Sequence, residues 1–359
     1  MNNENCREEL TDSQPQQPSA RASTAGLFAR WVILLSLLIV MLGWVLQRWP
    51  GENWWATVFL TYAPQALWLV PAVLALMLAL ICRERFLSVI ATILVAFVLV
   101  VLMGWQWRTS APPKVQDSLV VASWNVGNGW RSAKRARMSL DEIGADIVLT
   151  QEAIDNRFLP YFEGFECVRT RGQRIFVRQQ PPPSPGPQDS VPDAPSRQVL
   201  SDGLIVLADG WRPAHQARVQ FGGRHIRLLD VHLVVGDKYP GRARLTRHPR
   251  SYLHRTAQLR REQIAFIARW AKQQPGPFII AGDFNTPPHA SVWQPLLPLA
   301  TDAFAARGRG FGYTYRRHLP LWRIDYLWVS PHFRVLRCGT FDGGLSDHLG
   351  VWAELEFVQ

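Results

Sequence analysis

Three stretches within the first 107 residues carry no charged side chain, and they limit what this end of the chain can become. Trp31–Gln47 is uncharged over 17 residues, Asn53–Cys82 over 30 and Phe86–Trp107 over 22. A helix rises about 1.5 Å per residue and needs roughly 20 apolar residues to cross the hydrocarbon core of a bilayer. The first run is at the short limit and the third fits. The second has length to spare and carries Pro64 and Pro71, where a spanning helix can kink. Eight of the 16 tryptophans precede residue 108, and Trp31, Trp49, Trp54, Trp55, Trp105 and Trp107 flank the runs. An amphipathic ring prefers that level, between headgroup and acyl chain. A cleaved signal peptide accounts for one such run but not for three. The expectation is three transmembrane helices, at about 31–48, 54–82 and 86–107.

Basic residues set an expected orientation. Arg7, Arg21 and Arg30 precede the first run, Arg48 stands alone in the first loop, and Arg83 and Arg85 lie in the second. Positive-inside bias puts the N-terminus and the second loop in the cytoplasm and the long C-terminal part outside it. Residues 1–26 read as a disordered polar tail rich in Asn, Gln, Ser and Pro, and 109–117 as a linker. Residues 118–359 suffice for one domain with a substantial core. Within it, the prolines of 179–196 cannot donate to a sheet ladder, so this insertion reads as a disordered surface loop. Cys6, Cys82, Cys167 and Cys338 have no regular spacing, which excludes a disulfide scaffold and a zinc ribbon.

The C-terminal part alternates strand and helix signals. SLVVASWNV (118–126), ADIVLTQEA (145–153), GLIVLAD (203–209), RHIRLLDVHLVV (224–235), PFIIAGDFN (277–285), RIDYLWVS (323–330) and GVWAELEFV (350–358) read as strands. Between Tyr252 and Gln273, the positions Leu259, Ile264, Phe266, Ile267 and Trp270 have helical spacing. That pattern points to a layered α/β architecture. Acids, amides and histidines fall repeatedly at strand ends: Asn125, Glu152, Asp230, His232, Asp283, Asn285, Asp325, Asp347 and His348. Each alone has an ordinary explanation. Asn125 before Gly127, and Asp283 with Asn285 before two prolines, suit turns; Glu152 suits a helix start; His232 suits a core. Asp325 sits in an apolar segment, where an unpaired carboxylate is costly, so it needs a partner. Together they suit one rim where ligands bind in α/β folds.

The segments SWNVG, LTQEA, LLDVHL, IIAGDFN, RIDYLWVS and SDHLG resemble the endonuclease/exonuclease/phosphatase superfamily, over roughly residues 118–357. The resemblance, to a bacterial-type member with N-terminal membrane helices, implies a four-layer α-β-β-α sandwich of two mixed sheets and covers none of the membrane part. With the three transmembrane helices read from the apolar runs before it and the charge bias between them, the expectation is a multi-pass protein of a bacterial inner membrane with its catalytic domain outside the cytoplasm. One departure is that the family's Asn-Thr-His-Leu motif reads Asp230-Val231-His232-Leu233 here, which puts a substrate contact by Asp230 in doubt.

The implied chemistry is divalent-metal-dependent hydrolysis of a phosphoester by direct attack of water. A phosphodiester repels nucleophiles, and a hard ion such as Mg2+ or Mn2+ offsets the charge that builds on its oxygens while taking few carboxylates. Glu152 is the first candidate ligand and Asp347 the second, with Asn125 placing the ion or a phosphate oxygen. By similarity, Asp283 activates the water and Asn285 positions the phosphate. His348 contacts the phosphate, oriented by Asp325, and His232 supplies another donor. Whether Asp283 or His348 is the base stays open.

Basic residues dominate from Lys238 to Arg261, including Arg242, Arg244, Arg247, Arg250, Arg255 and Arg260, directly after His232. They suggest a polyanion, with Arg255 as a substrate contact. The expected substrate is nucleic acid, and a phospholipid headgroup is the alternative. No protein partner is implied.

Overall fold

A computed structural model of the chain describes residues 24–49, 51–107, 118–127, 133–154, 156–170, 172–179, 197–207, 213–234, 249–344 and 346–358. The linker expected at 109–117, nearly all of the tail at 1–26 and of the loop at 179–196, and Lys238, Arg242, Arg244 and Arg247 lie outside these residues.

The C-terminal strands form two six-stranded mixed sheets. The first comprises β2 (Leu119–Asn125), β3 (Ile147–Gln151), β4 (Phe165–Arg169), β5 (Gln173–Arg178), β13 (Phe333–Phe341) and β14 (Gly350–Phe357), in the order β13-β14-β2-β3-β5-β4. The second comprises β6 (Arg197–Ile205), β7 (Ala214–Phe221), β8 (Arg224–His232), β9 (Phe278–Asp283), β10 (Thr301–Asp302) and β12 (Asp325–Val329), in the order β10-β12-β9-β8-β7-β6. Each sheet has one parallel pair, β2 with β3 and β8 with β9, and is otherwise antiparallel.

Side chains alternate across a strand, and here both sides are buried. In β2, Leu119 and Val121 face the second sheet, where they meet Leu228, Ile279 and Leu327. Ala122 and Trp124 point the other way, onto Ala136 and Leu140 of α5 (Ala133–Glu142). On the outer face of the second sheet, Leu229, Val231 and Ile280 pack on Ile264 and Ile267 of α6 (Pro249–Lys272). The helix-sheet-sheet-helix stack matches the expected sandwich. Coverage on both faces explains why the strands read as unbroken apolar runs.

At the N-terminal end, α1 (Thr24–Arg48), α3 (Leu69–Ile81) and α4 (Arg85–Phe97, extended by a π-turn to Leu102) form a bundle with α3 in the middle. Small residues line the contacts: Ala29, Ala72, Ala75, Ala79 and Ala91 are buried, while Leu34, Leu38, Phe86 and Ile93 point outward. That inside-out arrangement is how helices pack where the surroundings are as apolar as their side chains. Two helices, Gly26–Arg48 and Arg85–Leu102, are long and apolar enough to cross a membrane.

The middle run departs from a single expected span at 54–82. It breaks into α2 (Trp55–Tyr62) and the segment Gln65–Ile81, bent by 92°. The cause is local. Ala63 precedes Pro64, whose ring pushes the preceding residue out of the helical region, and Ala63 is extended at φ −66°, ψ 153°. Pro71 is tolerated in the first turn of α3, where no intrahelical N–H is needed. The third run also stops short of 107. The chain turns at Gly104, and Gln106–Trp107 forms β1, which pairs with β11 (Arg309–Gly310) of the C-terminal domain.

Candidate active site

The strand registers bring the polar ends together. Asn125 and Gln151 are paired at the ends of β2 and β3, and Glu152 follows at once. In the second sheet, Asp283 is flanked by His232 on the parallel side and by Asp325 on the antiparallel side. Asn125, Gln151, Asp230, His232, Asp283 and Asp325 continue the alternating rows whose earlier members fill the core between the sheets. The inter-sheet core therefore turns polar at one edge. His348, next to the start of β14 and bridged to Tyr315, arrives at the same edge. The result is a cleft of about 360 Å³, lined by Asn125, Glu152, His232, Asp283, Asn285, Asp347 and His348 among others.

Asp283 is the centre of it. Its carboxylate accepts from Asn125 Nδ2 at 3.1 Å and from the backbone N–H of Asn285 at 2.9 Å. His232 Nε2 lies 3.5 Å away and His348 Nε2 3.8 Å. The bond to Asn285 is the turn contact that the GDFN sequence suggests, so turn and site coincide. Asn285 itself adopts a left-handed φ of 49°, and its amide donates to Leu233 O at 3.2 Å. His348 Nδ1 is 2.9 Å from Asp325 Oδ2, the partner that the buried carboxylate of Asp325 requires. Asp283, Asp325 and His348 offer ligand atoms within 4.8 Å of one another, a group with the chemistry of a metal site or of a proton relay. With Nδ1 engaged by Asp325, His348 has Nε2 directed at Asp283.

Burial raises the Asp283 carboxyl to about 6, helped by the charge of Asp325 and opposed by His348, Asn125 and the Asn285 N–H. For His348, burial alone would lower the imidazole, but the carboxylates of Asp325 and Asp283 outweigh it and push it up to about 10.

Glu152, at a left-handed φ of 56°, lies with a carboxylate oxygen 3.7 Å from His232 Nε2. Asp347 is at the rim, with its side chain 64% exposed. Asn125 Oδ1 accepts from the Gly127 N–H at 3.0 Å and keeps a second lone pair. These are hard oxygen donors lining the cleft, the donor chemistry that Mg2+ or Mn2+ takes.

One expectation is corrected, and the doubt over Asp230 is answered. Arg255 does not reach the cleft. It is exposed on α6, because five residues along a helix rotate the side chain well away from Arg260, which does line the cleft. Asp230 lies beneath the floor rather than at it. Its carboxylate accepts from Gln151 Nε2 at 2.6 Å and its carbonyl from Gln173 Nε2 at 2.9 Å, so it ties one sheet to the other.

Six lining residues were not among the expected site residues: Tyr62, Arg260, Pro287, Tyr315, Trp322 and Ile324. Arg260 shares the buried face of α6 with Thr256, Ile264 and Ile267, and a charge on that stripe was the available signal. Tyr62 had none, since it belongs to a run read as transmembrane.

The Endonuclease/Exonuclease/phosphatase family model matches residues 122–348. The chain belongs to this family, whose members are phosphoester hydrolases. An endonuclease/exonuclease/phosphatase from Bacteroides vulgatus superposes with a TM-score of 0.50 at 18% identity, over 67% of this chain and 99% of that one. A mannosyl-6-phosphatase from Bacteroides thetaiotaomicron gives 0.50 and 18%, over 67% of this chain and 100% of that one. At such identity the likeness is one of fold. No curated protein sequence matches the chain.

Proposed function

We propose that this chain is a membrane-anchored, divalent-metal-dependent phosphodiesterase in which Asp283 deprotonates the attacking water. The observation that carries the reading is the environment of Asp283. It is a buried carboxylate, raised toward neutrality, ringed by Asn125, His232 and His348 in a cleft open to substrate. A general base works best with a pKa near the working pH. His348, held protonated by two carboxylates, is an acid rather than a base at neutral pH, so it donates to a phosphate oxygen while Asp325 fixes its ring. His232 and Asn285 add polar contacts for the phosphate at the same edge. Glu152, Asp347 and Asn125 would hold Mg2+ or Mn2+, which supplies charge neutralisation for the phosphate oxygens when bound.

Membrane anchoring rests on the helix bundle with its outward-facing Leu, Phe and Ile residues. Arg30 pairs with Glu84 at 3.0 Å at the end of the bundle remote from the domain, close in sequence to Arg83 and Arg85. Positive-inside bias then puts the cleft outside the cytoplasm. The test uses the purified full chain in detergent with bis(p-nitrophenyl) phosphate and Mg2+ or Mn2+. Turnover is expected, is lost with a chelator, and falls by about 10²–10⁴ in Asp283→Asn with unfolding unchanged. Full turnover by that variant refutes the assignment.

A further inference from the structure

One wall of the cleft is shared between the catalytic domain and the N-terminal part of the chain: Tyr62, the last residue of α2, lines it beside Pro287, Trp322 and Ile324. Bonds from the domain hold α2 and the turn before it in place there. His289 Nε2 lies 2.9 Å from Thr61 O, and Trp322 Nε1 donates to Tyr62 O at 2.9 Å. Glu52, one turn earlier, accepts from Ser291 through both its N–H and its hydroxyl. The guanidinium of Arg250 lies 4.9 Å from the ring of Trp55, and that of Arg260 lies 4.2 Å from the ring of Tyr62.

Because α2 is turned 92° from the segment that follows, it runs across the end of the bundle rather than along it. One side, Thr57, Val58 and Thr61, is buried. The other presents Phe59, which is 60% exposed, beside exposed Trp54. Trp49 and Trp107 are exposed at the same end, where Trp105 also packs on Phe311 of the domain at 4.8 Å between ring centroids. Exposed tryptophans at one end of an apolar bundle mark the level of the headgroups. Tyr62, the last residue of α2, lines the cleft, so the cleft borders the helix that carries Phe59.

Inside it, Arg260 is 5% exposed, and its Nε donates to Val234 O at 3.3 Å. Among the described residues no carboxylate pairs with it. A buried cation is costly unless something anionic meets it, and the cleft is where an anion would. Aromatic and apolar side chains, Tyr62, Trp322, Ile324 and Pro287, line the rest of that wall. The basic stretch that suggested a polynucleotide is dispersed among the described residues. Arg250 stacks on Trp55, Arg260 is buried, and Arg255 and Arg261 are exposed on α6 and do not line the cleft.

We infer that the phosphoester received here is the headgroup of a membrane lipid, its phosphate between Arg260 and Asp283 and its acyl part left in the bilayer beside α2. The inference rests on the phosphoester hydrolase reading above and adds the substrate class. Its experiment uses the full chain reconstituted in vesicles of phosphatidylethanolamine, phosphatidylglycerol and phosphatidic acid, with Mg2+. Release of headgroup or phosphate is followed beside cleavage of single-stranded DNA and of bis(p-nitrophenyl) phosphate by the same vesicles. A lipid in the vesicle should be turned over at least about tenfold faster than DNA. Arg260→Gln should raise the apparent KM for that lipid about ten- to a hundredfold, the scale of one charge-assisted hydrogen bond. DNA cleaved as fast as lipid overturns the inference, as does an unchanged lipid KM in Arg260→Gln. Cleavage of the nitrophenyl ester without any lipid overturns it too, while leaving the hydrolase reading standing. No cleavage of any of the three sinks both.

Discussion

Asp230 offers a direct measure of what the inter-sheet polar floor costs. The residue is fully buried; its Oδ1 accepts from Gln151, and its Oδ2 has no hydrogen-bond partner among the described residues. Burial holds the carboxyl well above its ordinary value, against the opposing hydrogen bonds of Gln151 and Gln173. The folded state therefore keeps this proton to a higher pH than the unfolded chain does. Stability is intact below the unfolded value, near 3.9, and falls as pH rises through the window up to the folded one. Each unit of that window crossed removes about 1.4 kcal/mol. For a domain of about 150–250 residues, the size class of the C-terminal domain, 1 kcal/mol is about 2–4 °C of Tm, so each unit is about 3–6 °C. Asp230→Asn preserves the acceptor for Gln151 and has no proton to lose. In thermal unfolding of the full chain followed by tryptophan fluorescence, the variant should melt close to the wild type at about pH 4.5 and above it at about pH 8. A Tm gap that does not widen with pH, or a variant less stable at the higher pH, would refute the reasoning.

Three further outcomes follow from the same geometry. With Asp283 as base, kcat/KM should decline as pH drops through about 6, where its raised carboxyl takes up a proton; a profile flat to about pH 5 argues for another base. Asp325→Asn removes the carboxylate 2.9 Å from His348 Nδ1, so the imidazolium loses its support. Turnover should fall by about 10²-fold or more while the fold persists, and His348 should titrate lower by NMR. At Gly282, φ is 140° and an added Cβ would run into the Val231 carbonyl, whereas an added Cβ at Gly276 meets nothing within 4 Å. Gly282→Ala should fail to yield folded protein, and Gly276→Ala should express normally.

The fold was legible because its strands are both apolar and bounded. Both faces of each sheet are covered, so segments such as IIAGDFN and LLDVHL announce themselves and end on polar side chains of the candidate site. Convergence of Asn125, Glu152, His232, Asp283, Asp325 and His348 was legible only jointly. Register decides it, and register comes from pairing that no single segment contains. Arg255 was the wrong choice over Arg260 because net basicity says nothing about which helix face turns inward. The doubt over Asp230 as a substrate contact is answered by its place one layer deeper, held by two glutamines from the opposite sheet. A kink at Pro64 was legible, but not that the run breaks there into α2 and a segment turned 92° from it. Contacts between α2 and the domain span more than 200 positions of chain, beyond the reach of any local pattern.

That seam has a practical corollary for anyone wishing to handle the enzyme without lipids. Cutting the gene after Trp107 to obtain a water-soluble fragment also discards Tyr62, Thr61 and Glu52. The excision leaves His289, Ser291 and Trp322 bonded to nothing they were shaped for, and strips the ring from over Arg260. Such a fragment keeps every acid and histidine of the candidate site and still lacks Tyr62 from the lining of its cleft. Poor turnover by it is what this architecture prescribes.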